Sequence, residues 1–367
     1  MNKYKNIIII SVMTVLLFGL SLCFLLKVPD DFSESERRVL AQFPELTVET
    51  VISGEFMSKF ESYTQDQFPW RDEMRSLKAV TALGVFGHKD NNDIYVADGH
   101  VSKLDYPLRT EMLDNSAEHF ESIYNTYLAD TDASLYFSII PDKNYFLAEK
   151  NGYLSMDYNE LIDTMTGKTG YMEYIDITDE LTIGNYYRTD SHWKQENLLP
   201  VAEKLARAMG VTLDDEYTVN TLEHPFYGVY TGQSALPLEP DIIKYLTSET
   251  LDDCVVTSYD TGKPVEMPVY DMEAAIGRDP YEMFLCGADA LVVIENPNAE
   301  TDKELVVFRD SYSSSLMPLL VEGYAKITLV DTRYIQSGLI GNFIEFDDQD
   351  VLFIYGTTLL NSSSMLK

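Results

Sequence analysis

An uncharged run occupies residues 6–26, near the N-terminus of the chain. The run is about as long as a helix that crosses a bilayer. Lys3 and Lys5 come before it and the acidic stretch DDFSESE follows it, a distribution that favours a cytoplasmic N-terminus and an exported body. Its end, FLLKV, shows no small-x-small cleavage pattern. The sequence therefore predicts an uncleaved signal anchor in a single-pass protein of the cell membrane, with cleavage as the alternative.

The charge balance of the chain excludes one class of partner. Acidic residues outnumber basic residues 60 to 27, which gives a formal net charge of −33. Such a surface repels nucleic acid and anionic membrane surfaces, and no basic stripe offsets the repulsion. We therefore expect no nucleic-acid partner, whereas a neutral sugar or a peptide stays compatible with the charge.

Behind the predicted anchor the sequence changes character twice. Phe56, Phe60 and Tyr63 recur at helical spacing in a region that reads as helical and partly amphipathic. A hairpin signal at Asp98-Gly99 then opens a region of different pattern. We therefore divide the chain into a signal anchor, a helical membrane-proximal region and a main domain, at residues 1–27, 28–90 and 91–367.

The main domain alternates strand-like runs with helical ones. The strand-like runs are SLYFSII, MEYIDI, ELVVF, KITLVD and DVLFIYG, and the helical ones include QENLLPVAEKLARAMG, which Gly210 closes. Residues 215–275 are less regular and are predicted to form loops and short strands over an edge of the sheet. The alternation predicts an α/β fold, a parallel sheet flanked by helices on both faces.

A serine lies where an α/β sheet places its active site. The stretch KELVVFRDSYSSSLMPLL reads as a strand, a sharp turn and a helix, with Ser311 on the turn. Active sites of open α/β sheets lie at the carboxyl ends of the strands, and N–H groups at a helix start suit a developing oxyanion. Ser311 is therefore a candidate nucleophile. Because Asp310 and Ser311 are also good helix caps and the glycines of a G-x-S-x-G elbow are missing, capping is the alternative.

A second stretch, NYYRTDSHWKQEN, supplies a candidate base. Asp190 and His192 are two residues apart, so in an extended segment both side chains project to the same face. Asp190 would then orient His192 as the general base that deprotonates a serine hydroxyl. The alternative is an ordinary loop aspartate beside an ordinary loop histidine.

A metal site is the rival interpretation of the Asp-x-His pair. A hydrolytic zinc ion needs at least three protein ligands, and the cysteines are too few for a zinc finger. Two cysteines lie outside the anchor, and Cys254 and Cys286 form either one disulfide or two free thiols. The remaining histidines are scattered, at His88, His100, His119 and His224. We therefore predict neither a metal nor another cofactor.

The stretches YYRTDSHW, RDSYSSSLMPLL and DTRY together resemble the DHHW family of exported bacterial proteins. That family is similar to the SGNH-hydrolase-like acetyltransferases that O-acetylate alginate outside the cytoplasmic membrane. The resemblance extends over nearly all of the exported part, through FSESERRVLAQFPEL, DQFPWRD and FYGVYTGQSAL. It implies an SGNH-hydrolase-like domain in which Asp190 orients the general base His192 and Ser311 is the nucleophile.

The same resemblance implies the substrates and the partner. The acyl group would be acetyl, the acceptor a cell-surface or secreted polysaccharide, and the acyl donor would come from a multispanning membrane acyltransferase. A carbohydrate esterase with the same triad is one alternative. A protein without catalysis, which binds glycan or assists assembly of the cell envelope, is another.

The chain departs from the family pattern at two places. Ser191 stands where DHHW has its first histidine, which leaves the Asp-x-His spacing intact. The asparagine block of SGNH enzymes is replaced by FLCGADAL, which offers Gly287 and Asp289 but no asparagine. Because an ionised Asp289 cannot donate, the oxyanion hole is predicted to consist of backbone N–H groups, those of Ser311 and Gly287.

Four further residues are candidates for substrate binding. Trp193 and Tyr312 flank the predicted site, where their rings would stack on a sugar; packing in the core is the alternative. Arg333 and Tyr334 follow the strand KITLVD and would line the cleft. Structural pairing is the alternative for these two.

Overall fold

The computed structural model describes residues 2–285 and 287–367. The disulfide considered for Cys254 and Cys286 lies outside the described residues, because Cys286 is not among them. The helices, numbered in chain order, are α1 (Asn2–Thr14), α2 (Leu20–Leu26), α3 (Val48–Ile52), α4 (Glu55–Asp66), α5 (Arg71–Val80), α6 (Thr110–Ile123), α7 (Lys143–Asn151), α8 (Tyr158–Lys168), α9 (Leu199–Ala208), α10 (Val229–Ser234), α11 (Glu249–Asp253), α12 (Ser313–Leu316) and α13 (Thr357–Leu360).

The strands are short at the N-terminus and longer in the main domain. In chain order they are β1 (Phe32–Ser33), β2 (Arg38–Val39), β3 (Ile94–Ala97), β4 (His100–Lys103), β5 (Ser134–Ile140), β6 (Glu173–Tyr174), β7 (Thr218–Phe226), β8 (Asp241–Thr247), β9 (Val255–Ser258), β10 (Val265–Met267), β11 (Leu291–Glu295), β12 (Glu304–Arg309), β13 (Lys326–Val330) and β14 (Asp350–Gly356). Two compact units result: one holds residues 1–92 with 231–238, the other 93–230 with 239–367. The three-part division made from the sequence stays a prediction.

The first unit begins with the apolar helix. A π-helical turn, Val15–Gly19, joins α1 to α2, and an 18-residue window of Lys3–Leu26 has a mean hydropathy of 2.7 with none of it buried. In the described part of the chain this is the one helix that is long and apolar enough to cross a membrane, which fits a membrane anchor or a signal sequence.

After that helix in the sequence, aromatic side chains of α4 pack against one another and against Phe43. Phe56 and Phe60 stack one turn apart with ring centroids 5.9 Å from each other, and Phe43 meets Tyr63 edge-on at 5.4 Å. The spacing of four residues places Phe56 and Phe60 on one face of the helix. A segment remote in sequence, 231–238, completes this unit.

The second unit is built on an eight-stranded sheet. Its strand order is β10-β9-β11-β13-β12-β14-β5-β6. From β13 to β6 all neighbours are parallel, which confirms the predicted parallel sheet. Towards the other edge β11, β9 and β10 pair antiparallel. β9 and β10 lie within residues 215–275, where short strands over an edge of the sheet were predicted. The antiparallel pairing and the strand β11 were not predicted.

Helices cover both faces of the sheet, as the alternation predicted. Along β14, Leu352 and Ile354 point into a core that includes Leu205 of α9. Their neighbours Val351 and Phe353 point into a second core, which includes Phe120 of α6 and Leu161 of α8. This alternation is the period of two that a strand buried on both faces shows.

Candidate active site

Ser311 lies on the turn between β12 and α12. The carboxylate of Asp310 holds this turn: Oδ1 accepts from the Tyr312 N–H at 3.1 Å, and Oδ2 accepts from the Gly356 N–H of the neighbouring strand at 2.7 Å. The capping role considered for this pair therefore belongs to Asp310. The hydroxyl of Ser311 is left to point away from the helix, towards His192.

The structure brings Asp190, His192 and Ser311 into one row. The Ser311 hydroxyl and His192 Nε2 are 2.8 Å apart, and His192 Nδ1 is 2.6 Å from Asp190 Oδ1. When Nδ1–H donates to the carboxylate, Nε2 is free to accept the proton of the serine. This is the arrangement that activates a hydroxyl nucleophile, although Ser311 lies 119 positions after His192 in the sequence.

Asp190 is ionised in this row. Only 1% of its surface is exposed, and burial by itself would raise its pKa. The charge of His192, two hydrogen bonds from that residue and one from the Val229 N–H outweigh burial and hold the pKa of Asp190 well below its usual range. The Val229 N–H donates to Oδ2 at 2.8 Å, so both carboxylate oxygens are occupied.

A buried lysine forms hydrogen bonds with the backbone of the loop that contains Asp190. The ammonium of Lys143, at the start of α7, donates to the carbonyl oxygens of Tyr187, Arg188 and Asp190 at 2.8, 2.9 and 3.0 Å. Burial lowers the pKa of Lys143 to about 7, while Asp190 and Asp241 act in the opposite direction. Three carbonyl acceptors need all three N–H groups, so this geometry belongs to the protonated form. The sequence reasoning missed Lys143, although its position directly after a buried strand was a usable signal.

Asp241 and Gly228 hold the same loop from another side. Asp241 accepts from the N–H groups of Arg188 and Thr189 at 3.0 and 2.8 Å and from the Thr189 hydroxyl. Gly228 packs directly against the loop: a Cβ atom there would lie 2.4 Å from the backbone of Thr189 and Asp190. Position 228 therefore requires glycine because of close backbone approach.

The ring of His192 lies against Tyr281. The two rings are parallel within 10°, with centroids 3.9 Å apart. The Tyr281 hydroxyl is 2.8 Å from Ser315 Oγ, and the residue stands on a 3₁₀-helix, Pro280–Met283. The stack fixes the plane of the imidazole, which a single bond to Asp190 leaves free to swing. No pattern near residue 281 in the sequence pointed to this role.

One aromatic prediction is wrong. Trp193 has no exposed surface, because its ring packs in the core and its Nε1–H donates to the Tyr312 carbonyl and to Ser315 Oγ at 2.9 and 3.1 Å. A ring in that position cannot stack on a sugar. Tyr312 is 8% exposed and donates its hydroxyl to the Ser191 carbonyl at 2.9 Å. A contact between Tyr312 and substrate stays a prediction.

The other two predicted binding residues lie at the end of β13. Arg333 is paired with Asp331, with contacts of 2.9 Å from Nε and 2.6 Å from Nη2. This is the structural pairing that was considered as its alternative. Tyr334 is 50% exposed beside the Arg333 guanidinium, and its contact with substrate stays a prediction.

One of the two N–H groups predicted to form the oxyanion hole is already used inside the protein. The Gly287 N–H donates to the Phe284 carbonyl at 3.0 Å, so it is not free to meet an oxyanion and the prediction for Gly287 is wrong. Asp289 accepts from the Ser258 hydroxyl and is likewise not a donor. Within residues 2–285 and 287–367 the Ser311 N–H donates no hydrogen bond, which leaves it available to a developing oxyanion.

Nowhere in the described part of the chain do three or more His, Cys, Asp or Glu side chains converge as a metal ion requires. The chemistry that this arrangement supports is that of an activated serine.

Comparison with solved structures places the fold. A DHHW family protein from Eubacterium siraeum aligns with a TM-score of 0.60 at 20% identity, over 76% of this chain and 97% of that one. Bacillus cereus PatB1 with a sulfonyl adduct aligns with a TM-score of 0.59 at 20% identity, over 76% and 99%. A second PatB1 structure gives 0.55 at 16% identity, over 75% and 98%. These likenesses confirm the resemblance at the level of the fold. No protein-family model and no curated protein matches the sequence.

Proposed function

We propose that the chain transfers an acyl group to a hydroxyl of a cell-surface or secreted polysaccharide, outside the cytoplasmic membrane, and that this acyl group is acetyl. The observation that carries this proposal is the continuous row of hydrogen bonds from Asp190 through His192 to Ser311. The likeness in fold to the DHHW family protein supports it, because the resemblance in sequence implies that reaction.

The first half of the reaction acylates the serine. Ser311 Oγ attacks the acyl carbonyl carbon of the donor while its proton moves to His192 Nε2. Asp190, held ionised, stabilises the imidazolium. The carbonyl oxygen becomes an oxyanion that meets the Ser311 N–H. His192 then gives its proton to the departing oxygen, the donor's ester bond breaks, and acyl-serine remains.

The second half regenerates the serine. A sugar hydroxyl gives its proton to His192 Nε2 and attacks the acyl-serine carbonyl; the Ser311 oxygen leaves and recovers that proton. One ester bond forms for each that breaks, so the reaction needs no oxidant or reductant. With water in place of the sugar, the same residues perform the reaction of an esterase.

The apolar helix Lys3–Leu26 supports an anchored enzyme. As an uncleaved anchor it would hold the catalytic unit beside the extracytoplasmic face of the membrane. A multispanning membrane acyltransferase, which the resemblance implies as the source of the acyl donor, would meet the chain in the same bilayer. The polysaccharide acceptor would come from the envelope side.

The test is covalent labelling of the full-length protein in detergent. We expect p-nitrophenyl acetate to add one acetyl group, and a sulfonyl fluoride one sulfonyl group, to Ser311, as seen by intact-mass and peptide mass spectrometry. The adduct in the PatB1 structure recommends the second reagent. Ser311→Ala and His192→Ala should abolish both adducts, and Ser364→Ala, an exposed serine, should not. An adduct that persists in Ser311→Ala, or folded wild-type protein without adduct or ester turnover, would overturn the proposal and favour glycan binding without catalysis.

A further inference from the structure

A polar cavity of about 330 Å³ lies beside the triad, at the carboxyl ends of β5 and β14. Two short segments connect its wall to the triad. Val229 donates to the Asp190 carboxylate and the next residue, Tyr230, lines the cavity. Gly356 donates to Asp310, next to Ser311, and Thr358, two residues further on, lines the cavity as well. We propose that this cavity is an acceptor subsite that binds a neutral, hydroxyl-rich sugar unit.

The position fits a unit next to the one that is acylated. Ser311 follows β12, which is one strand away from β14 and two strands away from β5. With neighbouring strands about 4.8 Å apart, the cavity lies roughly 10 Å from the nucleophile. Linked sugar rings cover that distance. The subsite therefore rests on the proposed transfer to a polysaccharide. It adds the path that the polysaccharide would follow over the protein surface, from Ser311 to the cavity.

The lining of the cavity contains both hydrogen-bond acceptors and hydrogen-bond donors. The acceptors are the carboxylates of Asp93, Asp105 and Asp142, and the donors are the side chains of Lys103 and Arg109. A sugar hydroxyl both donates and accepts, so it satisfies such a mixture, whereas a simple ion satisfies half of it. The volume is at the lower end of the range for small-molecule sites, about 300–1,000 Å³.

One of the lining groups has an atom without a hydrogen-bond partner. Asp105 Oδ1 accepts from the Asn361 amide at 2.7 Å, whereas Oδ2 is buried without a hydrogen bond in the described part of the chain. Lys103 and Arg109 are exposed at the same cavity. A buried acceptor without a donor favours a ligand that supplies one, and a sugar hydroxyl does so.

Charge selects the class of sugar. Three carboxylates face two cations in the lining, and the whole chain carries −33. A polyuronate, with one carboxylate on every unit, would meet repulsion both at the cavity and over the surface. A neutral sugar avoids that repulsion and still makes the hydrogen bonds. The acceptor that the cavity fits is therefore a neutral glycan.

The test separates acylation of the serine from transfer to the acceptor. Full-length protein in detergent receives acetyl from p-nitrophenyl acetate, and cellohexaose, a galacturonate hexamer or a glucosamine hexamer is offered as acceptor. Leu154→Trp fills the cavity from a side chain that is 56% exposed, and Arg109→Gln removes a donor. Their matched controls are Leu339→Trp, at a leucine 47% exposed, and Arg207→Gln, at an exposed arginine on α9.

Cellohexaose is expected to be the best acceptor. Acetyl-serine should form in both cavity variants, while the KM for cellohexaose rises about tenfold, the value of one hydrogen bond to a charged group. The controls should keep the wild-type KM. Equal or better transfer to galacturonate, transfer to none of the hexamers, or a wild-type KM in both cavity variants would overturn the subsite. Wild-type protein that forms no acetyl-serine would instead overturn the proposed function.

Discussion

The two sides of the candidate active site have supports of opposite kinds. Ser311 follows a strand in the middle of the sheet and precedes a helix, so regular backbone geometry sets its position. Asp190 and His192 lie in a segment without helix or strand. Their position depends on side chains distant in sequence, among them Lys143, whose ammonium binds three carbonyls of the segment.

The two sides should therefore respond differently to single substitutions. Around Ser311 a single substitution leaves the sheet that carries the serine in place. Around His192 the segment has no helix or strand of its own, so a single buried substitution removes one of the few side chains that hold it. We therefore expect substitutions on the side of Asp190 and His192 to lower activity more than matched substitutions on the side of Ser311.

Asp190→Asn breaks the base side at its carboxylate. Both oxygens of Asp190 accept N–H groups, from His192 and from Val229, so the asparagine must turn its NH₂ towards one of these donors. The imidazole is then no longer held with Nδ1–H on an acceptor, and ester turnover should fall by about 10⁴-fold. Asp310→Asn is the matched change on the nucleophile side, where the affected N–H groups belong to Tyr312 and Gly356 and not to the base. We expect it to reduce turnover much less. Turnover of p-nitrophenyl acetate measures both, and a loss in Asp310→Asn as large as that in Asp190→Asn would remove the asymmetry.

Lys143→Met tests whether the loop depends on one ammonium. Three carbonyls lose their charged donor, so the free energy of unfolding should fall by about 2–4 kcal/mol. A shift of the base by about 1 Å would lower kcat by about 100-fold in the molecules that stay folded. KM for the small ester should stay near the wild-type value.

The control for this variant is Lys194→Met, which removes the same charge from a partly exposed lysine in the same segment. Urea unfolding gives the stability, and kinetics below the transition give kcat for each folded molecule. A wild-type kcat in folded Lys143→Met would show that the lysine supports the fold alone.

The pH dependence of stability should have opposite signs on the two sides. The folded pKa of Asp190 is lowered, so its contribution is complete above the unfolded value, about 3.9, and is lost as pH falls through the folded pKa. Burial raises the pKa of Asp310, so the folded state binds more protons there. Its contribution is complete below about pH 3.9 and is lost as pH rises through the folded pKa.

Urea unfolding of the wild type, Asp190→Asn and Asp310→Asn between pH 3 and 7 measures both slopes. Relative to Asp190→Asn, the wild type should lose about 1 kcal/mol between pH 5 and pH 3, which is the part of the contribution that this window covers. Relative to Asp310→Asn, it should lose stability as pH rises above about 4. Slopes of the same sign would contradict the electrostatic difference between the two sides.

The features that could be predicted from the sequence also differ between the Ser311 side and the Asp190–His192 side. Ser311 was proposed as the nucleophile from a buried strand followed by a turn, and the parallel sheet was predicted from the alternation of elements, because both patterns are local. The Asp-x-His pair was recognised as a pair, although nothing nearby in sequence showed what holds it. Lys143 and Tyr281 act across the fold, so their contacts were not visible in the chain.

The errors have physical causes of the same kind. Trp193 was read as a possible sugar platform because it follows His192, but a sequence pattern does not tell which face of a loop packs inward. Gly287 was assigned as a donor, yet a turn to Phe284 uses its N–H. Short strands over an edge of the sheet were predicted for residues 215–275, but their pattern did not specify which strands pair or that β9, β10 and β11 pair antiparallel.

Gly228 gives the site a marker that can be read in other sequences. Since even a methyl group there would overlap the backbone of Thr189 and Asp190, any relative with a side chain at this position has to place its aspartate differently. We expect such relatives to be pseudoenzymes, even where all three triad residues are retained. Sorting relatives by this one position, and assaying a few from each group for ester turnover, would separate catalysts from proteins that have kept the fold and lost the reaction.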